Sequence, residues 1–449
     1  APVCEILPYR RNYLGRGRGV SKEVKNIIII GNSAAGIAAA EAIRNKDKVS
    51  SVTIISDEDY TAYCRCVLSY YLSKEAEEER LIYRTQDFYK ENNINLILGK
   101  RVSRVEPKKN TVITEDNQKI EYDYLLIATG SSPKFPDIKG MHKRGIFGLR
   151  TIKDAKEILG MLAVTKTVCV LGGGLIGLKA AHALKKRGVD VKVIVKSKQI
   201  LSQILDKRAA DIIQKHLESH GMEILTGLDA AELLGNGDLK AIKLDSGKVI
   251  GCEVAIIGKG VSPNIGIVKN TDIKVNEGII VDRLLKTTVD NVFAAGDCVE
   301  AYDFVLEKPQ VNALWPNAVE QGCLAARNLL GENLVYGGSI GMNSVEFFNL
   351  PVISMGITKE EEGMEVISSL SQNNNIYKKI VLKDNCIKGV ILLGKIENSG
   401  LYLELIRKKA DVSSLKEDLL NDSLNYAKIM GLLGTKERIY LVCSGGSDV

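Results

Sequence analysis

Lys25–Ile30 running into Gly31-Asn32-Ser33-Ala34-Ala35-Gly36, and Thr167–Leu171 running into Gly172-Gly173-Gly174-Leu175-Ile176-Gly177, are the stretches that decide the fold. Each apolar run is short and continuous, the pattern of a strand buried on both faces. Each passes through a glycine-rich turn into an alanine-rich helical pattern and then a second strand, Val52–Ile55 or Val191–Val195. One βαβ unit is therefore used twice, with its turns 141 positions apart (172 − 31). A strand–turn–helix of this kind aims backbone N–H groups and the positive helix end at a pyrophosphate. Gly31 serves the tight turn and Gly36 the close approach of helix and strand, while Ser33 replaces the middle glycine. The second turn carries the full G-x-G-x-x-G in Gly172, Gly174 and Gly177 and is the stronger fingerprint. Two such units imply two dinucleotide sites.

Outward from these turns, 449 residues are too many for one core and fit about three domains. Past residue 340 the pattern changes: Tyr377–Leu382, Cys386–Leu393 and the helix-like Gly400–Lys409 suggest antiparallel strands and helices. The expected fold is α/β, two Rossmann-like three-layer nucleotide-binding domains plus a C-terminal α+β domain. No apolar run reaches the ~18 residues of a membrane span, and no secretory pattern opens the chain. A soluble cytoplasmic protein is expected, with no membrane or nucleic-acid partner. Nine cysteines are scattered, only Cys64 and Cys66 being close, which is unlike iron–sulfur or zinc spacing. No metal site is expected, and most thiols read as reduced core residues. The net charge of +6 is mild for this length. The basic stretch at residues 10–18 reads as a solvated arm that could dock an acidic partner.

Further segments follow in a telling order. An acid for an adenosine ribose is offered by Asp57 or Glu58 after the second strand. A strand at Tyr122–Ile127 runs into Ala128-Thr129-Gly130, and another at Thr287–Phe293 ends at Gly296-Asp297. With these in place the chain resembles the pyridine nucleotide–disulfide oxidoreductase family of FAD proteins over nearly its whole length. The resemblance implies that Ala128-Thr129-Gly130 abuts FAD. It also implies that Asp297 bonds the ribityl chain ahead of a helix aimed at the flavin, and that Trp315-Pro-Asn317 through Gly322 covers the flavin pyrimidine. The segment Ile256–Asn264, with Gly258 and Gly260, resembles the return from the nicotinamide domain to the flavin domain. The implied division is residues 1–21 as arm, 22–143 and 265–338 as a discontinuous FAD domain, 144–264 as NAD(P) domain and 339–449 as interface domain.

Where an NAD-preferring protein usually carries an acid, this chain has Val195 followed by Lys196, Ser197 and Lys198. Two lysines and a hydroxyl suit a 2′-phosphate, which leans toward NADPH. Relatives resembling glutathione reductase carry C-x4-C and a C-terminal His-Pro base, and neither occurs here. The stretch Tyr60–Tyr71 is instead similar to two groups. NADH:rubredoxin reductases and nitrite reductase flavin domains have proline opposite Cys66. Coenzyme A-disulfide reductases, NADH oxidases and peroxidases have a single redox cysteine there. A cysteine near a helix N-terminus and beside Arg65 is expected to have a lowered pKa and thiolate character. Arg65 itself could meet the FAD pyrophosphate, a substrate anion or an ordinary carboxylate.

The expected activity is FAD-dependent NAD(P)H oxidation, with electrons passed to an iron–sulfur or rubredoxin-like protein. The chain would act as a homodimer or as the flavin subunit of a larger complex. The alternative is NAD(P)H-dependent reduction of coenzyme A-disulfide, peroxide or oxygen through Cys66.

Overall fold

The computed structural model describes residues 24–371, 375–421 and 423–433. The basic arm, Cys4 and Cys443 lie outside the described residues. Strand Asn26–Ile30 is the centre of a parallel five-stranded sheet ordered Val292–Ala294, Tyr124–Ile127, Asn26–Ile30, Ser51–Ile55, Ile94–Ile97. Ile27 to Ile30 are at most 5% exposed, so both faces of this strand are covered, as its unbroken isoleucine run requires. Ile30 lies level with Ile55 on one side and Ile127 on the other, so three strand ends stop together beside Gly31. A second parallel sheet is ordered Glu223–Thr226, Asp190–Val195, Thr167–Leu171, Val254–Ile257, Ile146–Phe147. In both, the strand before the glycine turn sits between its successor and a later strand. The connections then leave toward opposite sides, and a crevice opens at the carboxyl ends of the strands.

Each unit inserts a three-stranded antiparallel sheet, after Ile94–Ile97 in the first and after Glu223–Thr226 in the second. One is Val102–Glu106, Thr111–Thr114 and Lys119–Glu121; the other is Ala230–Leu234, Ala241–Leu244 and Val249–Gly251. The chain crosses between the units twice, and the two crossings pair antiparallel as Ser131–Pro133 with Val261–Pro263. Lys134 N donates to Gly260 O at 2.9 Å where this ribbon ends.

One expectation fails. No helix follows Asp297; a turn leads into strand Val299–Asp303, and the next helix is Trp315–Leu329. Val299 to Asp303 alternate between buried and half-buried, with Val299 paired to Ile279, so period-two burial wins over helix formation here. Asp297 is therefore not a helix N-cap.

The third sheet is antiparallel, ordered Met342–Phe347, Leu350–Gly356, Cys386–Leu393, Ile376–Lys383, Glu365–Ser371. Helix Ser399–Lys408 buries Leu401, Tyr402, Leu405 and Ile406 against it. Among the described residues no helix is long and apolar enough to cross a membrane.

The hairpin turn of this sheet is held by histidines of the second unit. Phe348 (φ +45°) and Asn349 (φ +63°) are both left-handed, as a two-residue hairpin loop requires. Asparagine tolerates that region, while phenylalanine is strained there. Its ring stacks on His220 (4.1 Å, 3°), and His216 Nε2 lies 3.1 Å from the carbonyls of Phe347 and Phe348. His182 Nε2 accepts from Phe348 N at 3.2 Å, so its imidazole is neutral there, and burial lowers its pKa to about 4. A lowered native pKa adds stability that is complete above the unfolded value near 6.5 and lost as pH falls toward 4. The free energy of unfolding should therefore drop across that window, by up to about 3 kcal/mol. His182→Asn, compared by urea titration at several pH values, should flatten this decline. An unchanged slope would show that His182 does not cause it.

Candidate functional site

The glycine turns sit where the two crevices open. A Cβ on Gly31 (φ +118°) would lie 2.1 Å from Ala128 O, and one on Gly172 (φ +123°) would lie 2.3 Å from Gly258 O. A Cβ on Gly36 would come 1.9 Å from Gly31 O, and one on Gly177 2.3 Å from Gly172 O. The same two close approaches thus recur in both units, strand end to turn and turn to helix. Helix Ala34–Lys46 begins after Ser33 and helix Leu175–Lys186 after Gly174; neither start has a side-chain cap hydrogen bond. Their first-turn N–H groups stay available to an anion. Asn32 fixes the first turn by accepting from Tyr89 Oη at 2.8 Å.

A cavity of about 1140 Å³ runs from the first turn to the start of the second helix. That exceeds the ~300–1,000 Å³ usual for small-molecule sites and suits extended ligands. It is lined by Gly31, Ser33, Ala34, Ala35, Asp57, Glu58, Arg65 and Cys66 from the first unit's start. Ala128, Thr129, Gly130, Gly296, Asp297 and Trp315 line it from that unit's later segments, and Leu175 and Ile176 from the second unit. Asn343 to Val345 of the third sheet complete the wall. Gly36, Gly172, Gly174, Gly177, Gly260, Lys196 and Lys198 do not line it. Gly36 and Gly177 are packed inside the helix–strand contacts, while Gly260, Lys196 and Lys198 are exposed on the second unit. Lys196 lies 3.6 Å from Asp229.

Contacts inside the cavity sharpen several readings. Thr129 Oγ1 donates to Asn264 O at 2.8 Å and Asn264 Nδ2 donates back to Thr129 O at 2.9 Å, so the returning crossing clasps the Ala-Thr-Gly turn. Asp297 accepts from Ser131 Oγ at 2.8 Å and from Arg150 Nη2 at 2.7 Å. Arg150 was not singled out in the sequence; its signal is its place before the Thr151–Asp154 capping box, which holds Arg150 N at 2.8 Å. Its Nε is buried with no hydrogen-bond partner among the described residues. Arg65 is committed to the carboxylate: it pairs with Glu58, which also accepts from Tyr63 Oη, and it donates to Arg150 O at 2.8 Å. Asp57 pairs with Arg101 at 3.1 Å. Trp315 meets Tyr83 edge-on at 5.4 Å, so it is both packed and cavity-facing.

Cys66 corrects the expectation of thiolate character. It sits in the single turn Arg65–Val67, before the short helix Leu68–Ser73, and its exposed thiol faces the cavity, walled by protein. Its hydrogen bond with the buried Cys64 thiol, then burial, push its pKa up, and the Arg150 guanidinium offsets this only in part. Arg65, the residue thought to lower it, is spent on Glu58.

Residues 25–322 match the family described as pyridine nucleotide-disulphide oxidoreductase, and residues 342–410 match the rubredoxin NAD+ reductase C-terminal domain. The chain is 32% identical over 396 residues to nitrite reductase [NAD(P)H] of Bacillus subtilis, covering 87% of this chain and 48% of that protein. It thus spans about half the length of that relative. It is 30% identical over 400 residues to the NADH-dependent phenylglyoxylate dehydrogenase subunit epsilon of Aromatoleum evansii, covering 88% of this chain and 95% of that one. A solved NAD-dependent persulfide reductase from A. fulgidus superposes with a TM-score of 0.82 at 25% identity, over 89% of this chain and 79% of that chain.

Proposed function

Since the chain belongs to the pyridine nucleotide-disulphide oxidoreductase family, whose members are NAD(P)H-dependent flavin oxidoreductases using FAD and NAD(P)H, we propose that it oxidises NAD(P)H and hands the electrons to an iron–sulfur or rubredoxin-like protein. The observation that carries this is the repeated close packing at Gly31 and Gly172 beside one cavity that both units line. Its residues fit FAD: an uncapped helix start, a turn whose Cβ positions are filled by backbone, and a buried Arg150 Nε lacking an acceptor. In this reading the start of helix Ala34–Lys46 holds the pyrophosphate and Asp57 or Glu58 the ribose hydroxyls. Asp297, oriented by Arg150 and Ser131, bonds the ribityl chain, and Trp315 covers the pyrimidine. The start of helix Leu175–Lys186 holds the nicotinamide nucleotide. Lys196 and Lys198 incline the second site to NADPH. FAD, when bound, supplies acceptance of an electron pair and release of single electrons. The chain's residues then have only to orient, enclose and stabilise charge, and no side chain is required to move a proton.

The proposed units are residues 22–143 with 265–338 for FAD, 144–264 for the nicotinamide nucleotide and 339–449 for docking. A flavin subunit within a larger complex is favoured by the near-complete span of the subunit epsilon relative.

A raised Cys66 pKa speaks against the alternative, reduction of disulfides or peroxide through this thiol. Cys66→Ser should therefore keep NADPH- and NADH-driven reduction of both a dye and a rubredoxin within about twofold of the parent. Steady-state rates on purified protein test this. Selective loss of coenzyme A-disulfide or peroxide reduction would establish the alternative instead.

A further inference from the structure

Burial lowers the pKa of Lys179. It projects from helix Leu175–Lys186, a little over one turn beyond Gly174, and lines the cavity. Its ammonium sits 4.6 Å from the Tyr70 ring centroid, and Tyr70 lines the same wall. Its neighbour Lys186 is paired with Glu75 at 2.6 Å, whereas Lys179 forms no ion pair among the described residues. Glu75 and Glu346 act on it only at a distance. A half-buried ammonium resting on an aromatic face keeps its charge without a carboxylate to cancel it. What enters beside it feels that charge strongly, because the surrounding protein screens less than water.

Resting on the reading above, that this helix start holds the nicotinamide nucleotide, we propose that Lys179 makes the site read the charge of the nicotinamide ring. The dihydronicotinamide ring is neutral. Loss of a hydride, one proton with two electrons, leaves the ring with a single positive charge, and the acceptor gains the pair. A fixed cation in the wall therefore favours the reduced nucleotide and loosens the oxidised one. Lys179 is a specificity-determining residue here, acting on redox state rather than on the 2′-phosphate. Its role also favours departure of the oxidised product once the hydride has gone.

The test compares two ligands on FAD-loaded protein by titration calorimetry. One is the oxidised dinucleotide, and the other its 1,4,5,6-tetrahydro analogue, whose ring is neutral and cannot donate hydride. The parent should bind the analogue more tightly. In Lys179→Gln the ratio of the two dissociation constants should shrink about three- to tenfold, mostly through tighter binding of the oxidised form. Lys179→Arg should restore it. A ratio that Lys179→Gln leaves unchanged while both ligands bind overturns the charge role alone. So does a shift in flavin midpoint potential at constant ratio, since the cation would then face the flavin. If the parent binds neither ligand, the nicotinamide reading of this helix start falls with it.

Discussion

Gly172→Val should leave a yellow protein that NAD(P)H no longer reduces, whereas Gly31→Val should yield protein without flavin. The two substitutions are equivalent locally. Each forces a β-branched residue into φ near +120° and drives its Cβ to within 2.3 Å of a carbonyl on the neighbouring strand end. Backbone on both sides leaves nothing that can swing away, so the turn itself must shift. A shift of even an ångström withdraws the first-turn N–H groups from the pyrophosphate. The expected cost exceeds about a hundredfold in nucleotide affinity, or roughly 2.7 kcal/mol. Visible absorbance of the purified variants reads the flavin, and anaerobic stopped-flow reduction reads the nicotinamide nucleotide. Because the turns lie in different sheets, each variant serves as the folding control for the other. Flavin loss from Gly172→Val, or normal reduction of Gly31→Val, would overturn the assignment of the two sites.

The second large effect concerns Asp297. Its carboxylate is 11% exposed and holds the Arg150 guanidinium, which is 25% exposed. Truncation to alanine leaves that cation enclosed without its partner and strips Ser131 of its acceptor. Removing one member of a buried pair costs about 3–5 kcal/mol, and the partial exposure of Arg150 trims this to about 2–4 kcal/mol. Asp297→Asn keeps an acceptor oxygen for Ser131 and should lose less. Urea unfolding of flavin-free protein isolates the packing cost, and flavin titration of the same samples adds the cofactor term. Equal stability of the alanine variant and its parent in the flavin-free state would show that the Arg150 pair contributes nothing to folding.

What could be read in the sequence divides by the range of the interactions involved. The glycine turns are legible because their spacing is local: Gly36 and Gly177 each answer to the carbonyl of the glycine five positions earlier, although Gly31 and Gly172 themselves answer to the distant carbonyls of Ala128 and Gly258. The alternation of apolar strand and alanine-rich helix gave the parallel sheets for the same reason. Partners across the chain were not legible. Arg150 meets Asp297 at a separation of 147 positions, and Asn264 meets Thr129 at 135. Nothing local in either residue announces its partner. The inserted antiparallel sheets are hard to read because their strands are short and several carry exposed charged residues such as Arg104 and Lys243. A helix was expected after Asp297 on resemblance, yet the strand Val299–Asp303 is set by its pairing with Ile279 and Ile280. The thiolate expectation for Cys66 departs from the structure for another reason. The lowered pKa was expected from its neighbour Arg65, but that charge is claimed by Glu58, seven positions before Arg65.

The paired crossings carry a last consequence. Residues 134 and 260 are joined by a 2.9 Å hydrogen bond, so the long stretch between them leaves the first unit and re-enters it at nearly one point. A polypeptide insert whose ends meet in this way interrupts its host backbone at one place only, and its other ties to the host are side-chain contacts such as Arg150 with Asp297 and His182 with Phe348. The stretch is thus a cassette. Recombination that exchanges it leaves the order of the host sheet around Asn26–Ile30 uninterrupted, provided the incoming stretch keeps partners for Asp297, Glu75 and Phe348.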